Sequence, residues 1–189
     1  MSVQSSLVRY SIDAQANLFT VQAFASGIAS VVAHSPKFAI RSFFGEAAFT
    51  PEPIGDSSLE LTIKLSSLDL MDDVRSTERR EIERVMFDKV LETNRCATVR
   101  FKSTQVTGIK LNENMFRLNV MGELRLHGIT RGMHIESQVM KGEDTMKAQG
   151  SFSMLQSDYG LKIASLAGGS LKLKDELKCA YFVAGRREN

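Results

Sequence analysis

Few residues in this chain have the type and spacing to do chemistry: three histidines, two cysteines and one run of mixed charge. His34, His127 and His134 show neither i, i+2 nor i, i+4 spacing, and no acidic cluster accompanies them. Zinc asks for three or four convergent ligands, so surface or hydrogen-bonded imidazoles are the simpler reading. Cys96 follows Arg95, a neighbour that can lower a thiol pKa, but one arginine does not make a nucleophile. Cys96 and Cys179 lack metal-ligand spacing and read as two reduced thiols. There is no G-x-S-x-G elbow, and Gly168-Gly169 lacks the spacing of a phosphate-binding loop. Without a convergent acid, base and nucleophile the chain does not read as an enzyme, and no cofactor is expected. The run Asp72 to Glu81, DDVRSTERRE, reads as the solvated start of a helix rather than a binding surface.

What stands out is apolar alternation. In Ser58 to Ser66, Leu59, Leu61, Ile63 and Leu65 face one way and Glu60, Thr62 and Lys64 the other. Phe116, Leu118, Val120, Leu124 and Leu126 alternate with polar residues up to His127-Gly128, and Met133, Ile135 and Val139 resume the pattern. Two strands around a short glycine-containing loop predict an antiparallel hairpin. Further strands are predicted at Leu7 to Ile12, Leu18 to Ala25, Lys37 to Phe49, Thr98 to Val106, Thr145 to Met154 and Leu171 to Ala184. Within Lys37 to Phe49, Phe38, Ile40, Ser42 and Phe44 are expected on one face. Ser26 to Ala33 fits a helical turn or a continuing strand equally well, and Leu166 to Ser170 reads as flexible or tightly turned. One helix is predicted over Ser76 to Glu92, capped by Ser76 or Thr77, with Ile82, Val85, Met86, Lys89 and Val90 at helical spacing.

About eight alternating strands with short loops point to an antiparallel barrel or sandwich in one domain, with a core over about residues 7–184. The chain has 189 residues, 43% of them hydrophobic, enough to bury a sizeable core. Its 24 basic and 22 acidic residues leave a net charge of +2, which gives no electrostatic case for nucleic acid or an anionic membrane. No apolar run approaches the ~18 residues of a transmembrane helix. The start, MSVQSSLVRYSID, lacks the apolar centre of a signal peptide, so a cytoplasmic location is the expectation.

Five blocks, in order, resemble the YceI-like proteins, a lipocalin-like group of lipid binders. They are Ala33-His34-Ser35-Pro36-Lys37-Phe38; Asp72-Asp73 followed by the helix and Val99-Arg100-Phe101-Lys102-Ser103; Gly122-Glu123-Leu124-Arg125-Leu126-His127-Gly128-Ile129-Thr130-Arg131; Ser157-Asp158-Tyr159-Gly160; and Lys174-Asp175-Glu176-Leu177. The third is the most specific. Gly132 stands where the family usually has proline, and Cys96-Ala97 where it tends to have Tyr-Pro.

The resemblance implies an extended eight-stranded antiparallel β-barrel with one substantial helix. It implies an apolar tunnel able to hold a long isoprenoid or other amphipathic lipid, without catalysis. Family members often dimerise, so a homodimer is the implied assembly. Alternation then nominates lumen residues: Phe38, Ile40 and Phe44 from the third strand; Leu59, Leu61 and Ile63 from the next; Val99 and Phe101; Leu118, Val120, Leu124 and Leu126; and Phe152. His127, Thr130 and Arg131 sit at a tight loop, where side-chain bonds to backbone are the favoured role over contact with a ligand head group. The competing reading is a structural or protein-interaction barrel whose lumen is filled by its own side chains.

Overall fold

Strands that alternate apolar and polar residues bury one face each, and here those faces curl round a common interior. The computed structural model describes residues 7–15, 17–26, 35–166 and 171–188. The strands are β1 (Val8–Asp13), β2 (Leu18–Ser26), β3 (Lys37–Ile40), β4 (Phe43–Phe49), β5 (Ser58–Lys64) and β6 (Leu68–Leu70). After the helix come β7 (Thr98–Lys110), β8 (Met115–Leu126), β9 (Ile129–Lys141), β10 (Thr145–Leu155), β11 (Ser165–Leu166) and β12 (Leu171–Arg187). All the pairings are antiparallel. The ring runs β1-β4-β5-β7-β8-β9-β10-β12 and closes where Tyr10 and Ile12 of β1 meet Arg187 and Gly185 of β12. This is the closed eight-stranded barrel expected, in which every strand of the ring pairs with a neighbour on both sides.

Three wall strands are broken. β2 prolongs β1 along β12, β3 precedes β4 along β2, and β6 follows β5 along β3. The breaks do not leave backbone groups idle. At the first, the Asn17 side chain donates to Ala184 O (3.1 Å) and accepts from Ala184 N (2.7 Å), standing in for a missing strand residue. At the second and third, Arg41 N donates to Ser67 O, Lys64 N to Ser42 O, and Ser42 N to the Ser67 hydroxyl, each at 3.0 Å.

The break at Arg41-Ser42 corrects one expectation. Lys37 to Phe49 is not a single strand, and parity shifts across the break. Phe43 is buried at 3% exposure, whereas Phe44 points outward at 53%. Phe38 and Ile40 remain inside.

The helix runs over Ser76–Arg84 as α1 and continues as a π-helical turn over Val85–Val90, 15 residues together. Its wide turn is marked by Leu91 N donating to Met86 O at 2.9 Å. Neither Ser76 nor Thr77 caps it; Arg75 takes the N-cap position without a side-chain bond. Arg79 ties the helix down instead, donating to Leu70 O (2.7 Å) and Asp72 O (2.9 Å). Ile82, Met86, Val90 and Leu91 are buried in the core. Between β8 and β9 the loop is two residues, His127 (φ 52°) and Gly128 (φ 80°). Both lie in the left-handed region that a two-residue hairpin turn needs, which explains a glycine at the second place. The segments 27–33 and 167–170, and His34, lie outside the described residues.

Candidate functional site

The inward rows of the strands leave a cavity of about 220 Å³ along the barrel. Leu118 and Leu126, eight residues apart on β8, both line it. At ~3.4 Å per residue and a strand tilt of ~40°, the cavity extends roughly 20 Å along the axis. So small a volume over that length is a slot one chain wide. Among the described residues, no charged side chain lines it. The polar residues in its lining are Ser57, Ser58, Ser137, Cys179 and Tyr181.

The two ends differ. Beyond the end where Phe49 lines the cavity, Tyr10, Phe49 and Phe116 are almost wholly buried, and the Phe49 and Phe116 rings stack edge to face at 5.0 Å. The Tyr10 hydroxyl is buried there without a hydrogen-bond partner, and burial raises its pKa, partly offset by Arg187. At the opposite end Leu91 from the close of the helix, Leu126 from the hairpin and Leu161 line the cavity together. The helix therefore covers that mouth. Outside it, Glu92 lies beside Arg95 Nη1 at 3.3 Å, His127 Nε2 at 3.5 Å and Lys162 Nζ at 3.9 Å.

Of the nominated lumen residues, Ile40, Leu59, Leu61, Ile63, Val99, Phe101, Leu118, Val120, Leu124, Leu126 and Phe152 line the cavity. Phe38 is buried in the core but does not reach it, and Phe44 is on the outer face. Tyr181, Leu177, Cys179 and Val183 share one face of β12, as the alternation there predicts, and belong to the lining too. Leu91 and Leu161 carried no signal, because they come from a helix end and a loop with no period of two.

The remaining reactive groups are dispersed. Burial pushes the Cys179 thiol up to about 12, so it stays protonated and inert at neutral pH. Both cysteines are free. His134 Nε2 lies 3.3 Å from Asn119 Oδ1, and no cluster of three or more metal-ligating side chains exists among the described residues. No helix among them is long and apolar enough to cross a membrane.

A YceI-like domain model matches residues 10–180. The chain belongs to the YceI-like family. Three solved structures share the fold. BcnA of Burkholderia cenocepacia has a TM-score of 0.71 at 16% identity, covering 92% of this chain and 98% of BcnA. A polyisoprenoid-binding domain from Saccharophagus degradans has a TM-score of 0.66 at 14% identity, covering 97% and 100%. The YceI protein of Campylobacter jejuni has a TM-score of 0.58 at 14% identity, covering 79% and 83%. No curated protein matches the sequence.

In this YceI-like barrel the sequence blocks prove to be structural joints. Asp72 accepts a hydrogen bond from Lys37 N at 2.8 Å, joining the first block to the second. The third, fourth and fifth meet beside the hairpin. Arg131 Nε donates to Asp158 O at 3.1 Å; Ser157 donates from N (2.8 Å) and Oγ (2.5 Å) to the Asp175 carboxylate; Gln156 Nε2 donates to Lys174 O at 2.9 Å. The bonds from the Ser157 hydroxyl and then its N–H hold Asp175 below its ordinary pKa. This 157–160 turn sits where β9 and β10 part. Their pairing runs only from Lys141–Met146 to Gln138–Gln149. Beyond it a seam opens in the wall. Gly150 stands at its start: a Cβ there would come within 2.5 Å of the Tyr181 hydroxyl and 2.6 Å of Glu136 O.

Proposed function

We propose that this protein holds one slender lipid chain, of isoprenoid or other amphipathic type, inside the barrel without covalent chemistry, as a carrier or store. The observation that carries this reading is the lumen itself: long, narrow and, among the described residues, free of charged side chains. Burial of a hydrocarbon chain is worth ~0.8 kcal/mol per CH₂. Ten buried carbons therefore contribute about 8 kcal/mol, which corresponds to micromolar affinity before ordering costs are subtracted. The volume favours a slender chain over a broad ring system. An engineered apolar cavity of about 150 Å³ is filled by one benzene, and here about 220 Å³ is spread over the length of the barrel. The family match and the polyisoprenoid-binding domain among its structural relatives support a lipid over other hydrophobic ligands.

Organic extraction of protein purified without detergent, followed by mass spectrometry, tests the reading. A single-chain lipid near one equivalent per chain is the expected result. An empty extract, together with no uptake of added isoprenoid alcohols, would contradict it and leave the filled-barrel reading.

A further inference from the structure

The seam between β9 and β10 holds a second cavity, of about 500 Å³ and polar. Arg131, His134, Asp158 and Tyr159 line it. Met133 and Met154 line both it and the lumen, one from each side of the seam. Only these two unbranched, adaptable side chains are common to both linings, and methionine repacks at little cost. Arg131 belongs to the inward row of β9 with Met133, Ile135, Ser137 and Val139, yet it is exposed because β10 has moved away at that level. The seam thus places a cation on the lumen's own row of side chains. Arg131 meets Asp158 through the backbone carbonyl rather than the carboxylate, and it has no ion pair among the described residues. The cations at the covered mouth differ: Arg95 and Lys162 already share Glu92, with the His127 ring beside it. The far end is blocked by aromatic side chains.

We propose that the bound chain's head group leaves the lumen sideways, between Met133 and Met154, and is held by Arg131. The ligand class is then a single-chain lipid with an anionic oxygen head, carboxylate or phosphate, which the guanidinium fork is suited to bind. This rests on the lumen holding a lipid chain. The test is binding of hexadecanoate, hexadecyl phosphate and hexadecanol to the full-length protein, measured by calorimetry at neutral pH. Expected are anionic heads favoured roughly 10- to 100-fold over the alcohol, the advantage lost in Arg131→Ala and in Arg131→Gln, and unchanged in Arg95→Ala. Hexadecanol binding that is the same in all variants reports that the lumen is intact. A preference for carboxylate over phosphate, or the reverse, identifies which head the seam accepts. Equal binding of the three heads overturns the proposal while leaving the lumen reading in place, as does an advantage that survives Arg131→Ala or disappears with Arg95. No binding of any chain overturns both.

Discussion

Strand β9 has two unlike flanks. Toward β8 it is paired along its whole length, from Met115–Met140 to Leu126–Ile129. Toward β10 it is paired only near the 142–144 loop. The inward row of β9 is the same for both flanks, so apolar patterning does not decide where pairing stops. On the β8 flank a two-residue turn fixes the register and the strands close from it. On the β10 flank polar bonds take the place of strand pairing: Arg131 of β9 to Asp158 O, Ser157 to Asp175 of β12, and the Tyr181 hydroxyl of β12 to Glu136 O at 3.4 Å over Gly150. Hydrophobic burial closes the barrel, and a few specific hydrogen bonds set where its wall opens.

The largest effect is expected where burial acts alone. Phe116→Ala removes a ring with no exposure and its edge-to-face partner Phe49. It should cost about 3–5 kcal/mol in chemical denaturation. A loss below about 1 kcal/mol would mean the closed end is not packed as described.

Next is Gly150→Ala at the start of the seam. Its Cβ would meet a backbone oxygen, which cannot rotate away, and the Tyr181 ring. Overpacking of this kind costs about 1–3 kcal/mol. Amide exchange should quicken in residues 136–150, with β8 unaffected. Equal quickening on both flanks of β9 would remove the distinction between them.

Leu124→Trp fills the slot near the covered mouth. We expect lipid uptake to fall at least tenfold with a stability loss of about 1–3 kcal/mol. Unchanged uptake would place the ligand elsewhere.

The smallest effect concerns pH. The Ser157 bonds hold Asp175 below its ordinary value of 3.8. A carboxylate depressed in the folded state contributes stability above its unfolded pKa, and that contribution is lost as pH falls through the lower folded value. The 157–160 turn should therefore loosen only below about pH 4. Asp175→Asn should flatten that part of the acid unfolding profile and leave neutral-pH lipid uptake unchanged. A change centred near pH 6 would point to another group.

Much of the barrel was legible because period-two alternation is a local property. β5 shows it without interruption, β8 breaks it only at Gly122, and β12 keeps it from Leu177 to Val183; these rows line the lumen. Phe43 and Phe44 show why the third predicted strand misled. The two residues are chemically identical, so a shift of parity at Arg41-Ser42 leaves no trace in composition, and only the structure tells which ring is inside. The helix starts at Ser76 as expected, but its cap differs: Ser76 and Thr77 are good caps in isolation, whereas tertiary bonds from Arg79 fix this end. The seam was illegible for a different reason: a missing strand pair belongs to two strands and the turn between them, and the alternation of β9 continues through it. The sequence blocks that carried the family resemblance supply these joints, and they reach the lumen through Val99, Phe101, Leu124, Leu126 and Leu177. They identify the fold better than they identify the ligand.

The most direct test of the central claim is native mass spectrometry of the delipidated full-length protein titrated with geranylgeraniol, alongside Leu124→Trp. The account predicts one lipid per chain, saturating at micromolar concentration, and little or none on the variant. A wild-type protein that stays at its apo mass throughout, or a variant that loads equally well, would contradict it.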